Sequence, residues 1–144
     1  VDRAYDNVEW FGFGPFETYP DRREAAGIGR WKSKAGEQYT HYARPQDSGN
    51  LESVAEIMLL DGKGQGLRVT ALENPVSASA LPYSVADIAA VSHDCDLRES
   101  GNIYLNLDAA VMGLGNSSCG PGVLKKYAIA PGEHELKVRI SPVK

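Results

Sequence analysis

A chain of 144 residues with 15 basic and 19 acidic side chains and a net charge of −4 fits one ordinary domain, which can bury roughly two-thirds of the surface its unfolded form exposes. The charges are scattered in mixed order and give no electrostatic footprint for nucleic acid, and the basic pairs Arg22-Arg23 and Lys125-Lys126 read as solvated surface. Asp87 interrupts the longest apolar stretch, Leu81 to Val91, well short of the roughly 18 residues of a membrane span, so no membrane partner is expected.

The chain opens on Val1, without methionine and without the basic-then-apolar start of a secretion signal, and so reads as an excised piece or a processed product. In "VEWFGFGPFETYPDR", Val8, Trp10, Phe11 and Phe13 read as a strand, Gly12 and Gly14 mark a bulge or a close backbone approach, and Pro15 ends the ladder. Glu17, Asp21 and Arg22 form either an ion-pair cluster that fixes the turn, the reading preferred here, or a ligand contact. Val54 to Leu60 and Leu67 to Thr70 flank "DGKGQG" as a hairpin with a longer loop; no helix pattern follows, so this is not a phosphate loop.

Ser84 caps a short helix, "SVADIAAVSH", with Asp87 three residues on. "HDCD" at 93 to 96 then reads as a turn with capping groups in preference to a cation site. Ile103, Leu105 and Leu107 alternate with Tyr104, Asn106 and Asp108 as a half-buried strand. "HELKVRI" repeats the pattern with His134, Leu136, Val138 and Ile140 inward, which makes His134 a satisfied core histidine. Cys95 and Cys119 match neither a disulfide scaffold nor a zinc pattern; two buried or partly buried thiols are the default, with a bridge between them left open. Asn116-Ser117-Ser118 has the form of a glycosylation sequon and is treated as loop composition. Prolines and 15 glycines cut the chain into short pieces, and an all-β sandwich is the natural class.

Candidate chemistry is plentiful and unselective. His41, His93, His134, both cysteines and many serines could supply a nucleophile or a base, and glycoside hydrolysis would need two carboxylates about 5–10 Å apart. Nothing internal to the chain chooses two of its 19 acidic residues.

The residues do, however, resemble a known family. Trp10, Gly12, Gly14, Pro15, Glu17, Tyr19, Asp21 and Arg22 fit a stretch of the C-terminal domain of family 2 β-galactosidases. "YARPQDSGN" is similar to that family's Tyr-x-x-Pro-Gln-Glu-x-Gly-Asn, with Asp47 in place of the glutamate. "PYSVADIAAVSH" resembles its Pro-Tyr-Ser helix, and "LNLDAAVMGLG" its Leu-Asn-Leu-Asp and Met-Gly-x-Gly segment. The resemblance implies that residues 1–144 are a single domain fragment, the later half of that C-terminal domain. The implied fold is an antiparallel β sandwich, part of a galactose-mutarotase-like supersandwich, with one short helix. It also implies that the catalytic glutamates, and the magnesium and sometimes sodium of the family, belong to a (β/α)₈ barrel of about 250 residues. This chain is then expected to hold no catalytic residue, cofactor or metal and to be inactive alone. Its implied partners are that barrel, the other domains of the parent chain and a β-galactoside.

A loop after Met-Gly-x-Gly in that family offers a tryptophan for sugar stacking. Here the loop reads "MGLGNSSCGPGV", one residue shorter, and Cys119 stands in the tryptophan's place. Asn116, Ser117, Ser118 and Cys119 are therefore the substrate-loop candidates, within a segment 112 to 121 at the edge of a sugar pocket. Leu51 stands where the family continues with arginine after Gly-Asn, so a local ion pair is missing. Two other classes are weighed. A free carbohydrate-binding module would use Trp10, Trp31, Tyr39 or Tyr42 as a platform, although most of these fit the core better. An assembly domain would pair the strand edges that halving a sandwich leaves open, giving a homo-oligomer.

Overall fold

The computed structural model describes residues 1–116 and 119–144. Two antiparallel sheets face each other. The larger is built from β1 (Asn7–Gly14), β2 (Gly27–Lys34), β4 (Glu56–Leu60), β5 (Gly66–Ala71) and β8 (Val138–Val143), in the spatial order β2-β1-β4-β5-β8. The smaller has β3 (Leu51–Val54), β6 (Val76–Leu81) and β7 (Tyr104–Asp108), in the order β3-β6-β7. Helix α1 (Val85–Ala90) follows β6. The all-β sandwich with one short helix is thus the observed architecture.

Strand alternation decides which side chains meet in the middle. Val8 and Trp10 of β1, Ile57 and Leu59 of β4 and Val69 of β5 point inward, where Leu51, Val54, Val76, Ala78, Ala80 and Ile103 face them, all nearly inaccessible. The opposite face of the larger sheet is a lattice of cross-strand charges. Lys32 pairs with Glu9 at 2.6 Å, and Arg30 and Arg68 share Glu56. Phe11 lies on this outer face, 38% exposed, beneath the Arg30 guanidinium 5.4 Å from its ring centroid.

Gly12 and Gly14 mark close approaches. A Cβ on Gly12 would lie 3.0–3.1 Å from the backbone of Glu52, Ser53 and Val54, so the two sheets touch backbone to backbone there. A Cβ on Gly14 would strike the Trp31 indole at 2.6 Å. Trp31 donates to the Gly12 carbonyl at 3.2 Å and Trp10 to the Phe13 carbonyl at 2.8 Å, so both indole N–H groups are satisfied. At α1, Ser84 Oγ accepts from the Asp87 N–H and Asp87 reaches back to the Ser84 N–H, a reciprocal cap. Ile88 anchors the helix on a satellite core with Tyr39, Leu81, Tyr83 and Leu97.

Three expectations are corrected. The last strand begins at Val138, not His134, and its inward residues are poorly covered: Ile140 is 61% exposed. β8 is the outermost strand of a five-stranded sheet facing a three-stranded one, and of its inward residues Val138 packs against the core while Ile140 and Pro142 are exposed. His134 is consequently no core histidine; it is exposed, with Nε2 at 3.0 Å from the Ala130 carbonyl. Cys95 and Cys119 are both exposed free thiols, because one sits in a 3₁₀ turn beyond α1 and the other in an irregular loop outside either sheet.

Candidate functional site

The segment Pro15 to Ala26 leaves the sheet after β1 and folds back on the irregular segment leading into β3. Thr18 N–H donates to the Asn50 carbonyl at 2.7 Å, Asn50 Nδ2 to the Thr18 carbonyl at 2.8 Å, and Glu52 N–H to Thr18 Oγ1 at 2.9 Å. Two motifs more than 30 positions apart are thereby stitched together. Glu17 sits at their junction, its side chain 7% exposed, and accepts from Arg22 at 2.8 Å and from the Gly49 N–H at 2.9 Å. The hydroxyls of Tyr19, Thr40 and Tyr42 lie 3.3–3.4 Å from it. Burial, then the Glu17 charge, pushes the Tyr19 hydroxyl far above its ordinary value, and the same two causes raise Tyr42. A carboxylate with this many donors is a structural hub with little capacity left for a ligand.

Asp21 does something different from what its neighbours suggest. It pairs neither with Arg22 nor with Glu17; the expected three-residue cluster reduces to Glu17 and Arg22. Its Oδ1 accepts from the Leu114 N–H at 2.9 Å and its Oδ2 from the Gly115 N–H at 2.8 Å. Burial opposes ionisation of Asp21, but the N–H groups of Gly115 and Leu114 outweigh it and hold the carboxyl below its ordinary value. Gly113 N–H donates to the Tyr127 carbonyl at 2.9 Å on the other side. Between them Asp21, Arg22, Leu114, Gly115, Asn116, Pro121 and Leu124 border a cleft of about 530 Å³.

Of the four substrate-loop candidates, Asn116 and Cys119 are exposed and Ser117 and Ser118 lie outside the described residues. Asn116 N–H donates to the Pro121 carbonyl at 2.9 Å, and the Asn116 carbonyl accepts from the Cys119 N–H at 3.0 Å. The loop base is thus closed on itself. Its link to Asp21 spans more than 90 positions, and no local pattern in the sequence announces it.

The alternative platforms are largely occupied. Trp10 and Tyr39 are 2% and 4% exposed, Trp31 is half-buried over Gly14, and Tyr42 is the most open of the four. His93 opens the 3₁₀ turn Asp94–Asp96, while Asp94 pairs with His41 at 2.9 Å, a contact missed in the sequence because its partners are 53 residues apart. Among the described residues no group of three or more His, Cys, Asp or Glu side chains is placed to hold a metal ion. A small polar recess joins Asp47, Ser79, Asn106 and Asp108; burial and then the Asp47 charge raise Asp108.

Comparison with known proteins bears on this geometry. Residues 1–140 match the family described as beta galactosidase small chain. A beta-galactosidase of Arthrobacter sp. strain B7 is 36% identical over 141 residues, covering 94% of this chain and 14% of the relative. One from Kluyveromyces lactis is 35% identical over 127 residues, with coverage of 88% and 12%. One from Halalkalibacterium halodurans is 32% identical over 126 residues, with coverage of 87% and 12%. The chain therefore spans only about an eighth of the length of the curated relatives it matches.

Proposed function

This chain belongs to the β-galactosidase small-chain family, and on that premise we propose that it is a structural and site-completing domain of a retaining hydrolase of terminal β-galactosides. The observation that carries the reading is the match over residues 1–140 in a chain covering 12–14% of relatives named beta-galactosidase. Residues 1–144 form, in this reading, the later half of the C-terminal sandwich of a longer polypeptide. Its catalytic carboxylates and any magnesium or sodium are held by other domains, so the chain alone does not hydrolyse substrate. Residues 112 to 121, with Asn116, Ser117, Ser118 and Cys119, edge the sugar pocket of that larger protein. An exposed loop on a closed base, tied to a buried scaffold through Asp21, suits such a role.

Cys119→Trp in the intact polypeptide tests the loop. If an added aromatic face over a sugar matches the value of an aromatic pair, about 0.5–1.5 kcal/mol, KM for aryl β-galactosides is expected to fall roughly two- to ten-fold. Unchanged KM and kcat would remove the loop from the pocket. A stand-alone carbohydrate-binding module is the weaker reading, since Trp10 and Tyr39 lie within the core. A flat tryptophan fluorescence response to millimolar galactose or lactose is expected from the isolated chain.

A further inference from the structure

We propose that Asp21 is a positioning residue that sets where the loop after Gly113 stands against substrate, an inference that rests on the loop reading above. Both of its oxygens are committed to consecutive backbone N–H groups, Leu114 at 2.9 Å and Gly115 at 2.8 Å. A charged acceptor gripping two amides is about twice as strong per bond as a neutral one and fixes direction as well as distance. The stem is shaped for that grip. A Cβ on Gly113 would lie 2.7 Å from Asp21 Oδ2 and 2.9 Å from Tyr127 Cβ, so only glycine lets the backbone come this close. Gly115 holds φ at +63°, with space for a Cβ blocked by Val123 N at 2.7 Å.

Asp21 is itself well anchored. Tyr19 and Arg22 exchange backbone hydrogen bonds of 3.2 and 2.9 Å around it, Tyr19 is 6% exposed, and Arg22 is held by Glu17. The stem is thus referenced to the buried Glu17 hub through one carboxylate. Because a displacement of about 1 Å at a binding group can change rates by 10²-fold, that reference matters to catalysis as well as to folding.

The test compares Asp21→Ala and Asp21→Asn with Cys119→Trp in the intact polypeptide, by hydrogen–deuterium exchange of peptides covering residues 112–116 and by steady-state kinetics on an aryl β-galactoside. In Asp21→Ala, exchange at Leu114 and Gly115 is expected about ten-fold faster or more, and KM raised roughly three- to ten-fold, with kcat changed less. Asp21→Asn keeps one acceptor and should fall between, which serves also if the alanine variant folds poorly. A purely structural role would instead lower the number of active molecules, reducing apparent kcat and leaving KM unmoved. Unchanged exchange in both variants overturns the grip. Faster exchange with unchanged KM overturns its link to substrate: if Cys119→Trp still shifts KM, the role of Asp21 alone falls, and if neither does, the loop reading falls with it.

Discussion

Buried carboxylates in this domain divide by what faces them. Glu17 is surrounded by donors, whereas Glu52, 8% exposed, has one guanidinium, Arg23 at 3.2 Å, and that side chain is 42% exposed to water. Burial is the larger influence and raises the Glu52 carboxyl despite the Arg23 charge. A carboxyl raised on folding costs stability where it is ionised in both states, above its folded value, and the cost disappears as pH falls through that value towards the unfolded one. Glu52→Gln removes the cost while keeping the shape. Its urea midpoint should exceed that of the parent protein at pH 7, with an unfolding free energy higher by less than about 1 kcal/mol because Arg23 is partly solvated, and the two should converge near pH 4. Asp21 runs the opposite way: its lowered carboxyl stabilises above the usual aspartate range, and the contribution is lost as pH falls through the folded value. Denaturant titrations carried from pH 7 to well below pH 4 separate the two, since the Glu52 change falls above the ordinary glutamate value and the Asp21 change below the ordinary aspartate value of 3.8.

Elements became legible in the sequence to the extent that their side chains alternate. β1, the β4–β5 hairpin, α1 and β7 all carry large apolar groups at strand or helix spacing or a capping pair, and they lie close to where the pattern puts them. β2 and β6 carry no such mark. Trp31 is the one large apolar side chain on the inward face of β2, beside Gly27 and Gly29, and β6 fills its place with Ala78, Ala80, Ser77 and Ser79, all buried. Small residues are required there by close packing, and small residues give no hydropathy contrast. β8 failed in the other direction, since alternation specifies faces but not whether another layer covers them. The loop candidates were named through resemblance, while Asp21's reach to Leu114 depends on long-range topology. The close approach at Gly12 is a sharp test of how the sheets meet. Val54 Cα and two carbonyl oxygens are backbone and cannot swing aside, so Gly12→Ala should force the sheets apart and cost about 1–3 kcal/mol in a thermal or urea melt. Gly27→Ala in β2, where a Cβ meets nothing within 4 Å, is the matched control.

At the scale of the molecule the two outer edges of the larger sheet are treated unequally. β2 presents Arg30, Lys32 and Lys34, each held by an acid, Glu56, Glu9 or Asp6, and a charged edge of this kind resists pairing with another strand. β8 has Pro142, which lacks an N–H, and Arg139, but also Ile140, which points to the inner side opposite buried Val69 and is 61% exposed. An apolar side chain on the core-facing side of an edge strand is where a covering layer would sit, and with that layer absent a second copy can take its place. The 144-residue chain on its own should therefore self-associate with rising concentration in sedimentation velocity. Ile140→Lys places an inward charge on that edge and should shift the population towards monomer while leaving the circular dichroism spectrum of the sandwich intact. A single monomeric boundary for the unmodified chain over a hundred-fold concentration range would show that Pro142 and Arg139 suffice to protect the edge, and that the overhang of the larger sheet is tolerated without a partner.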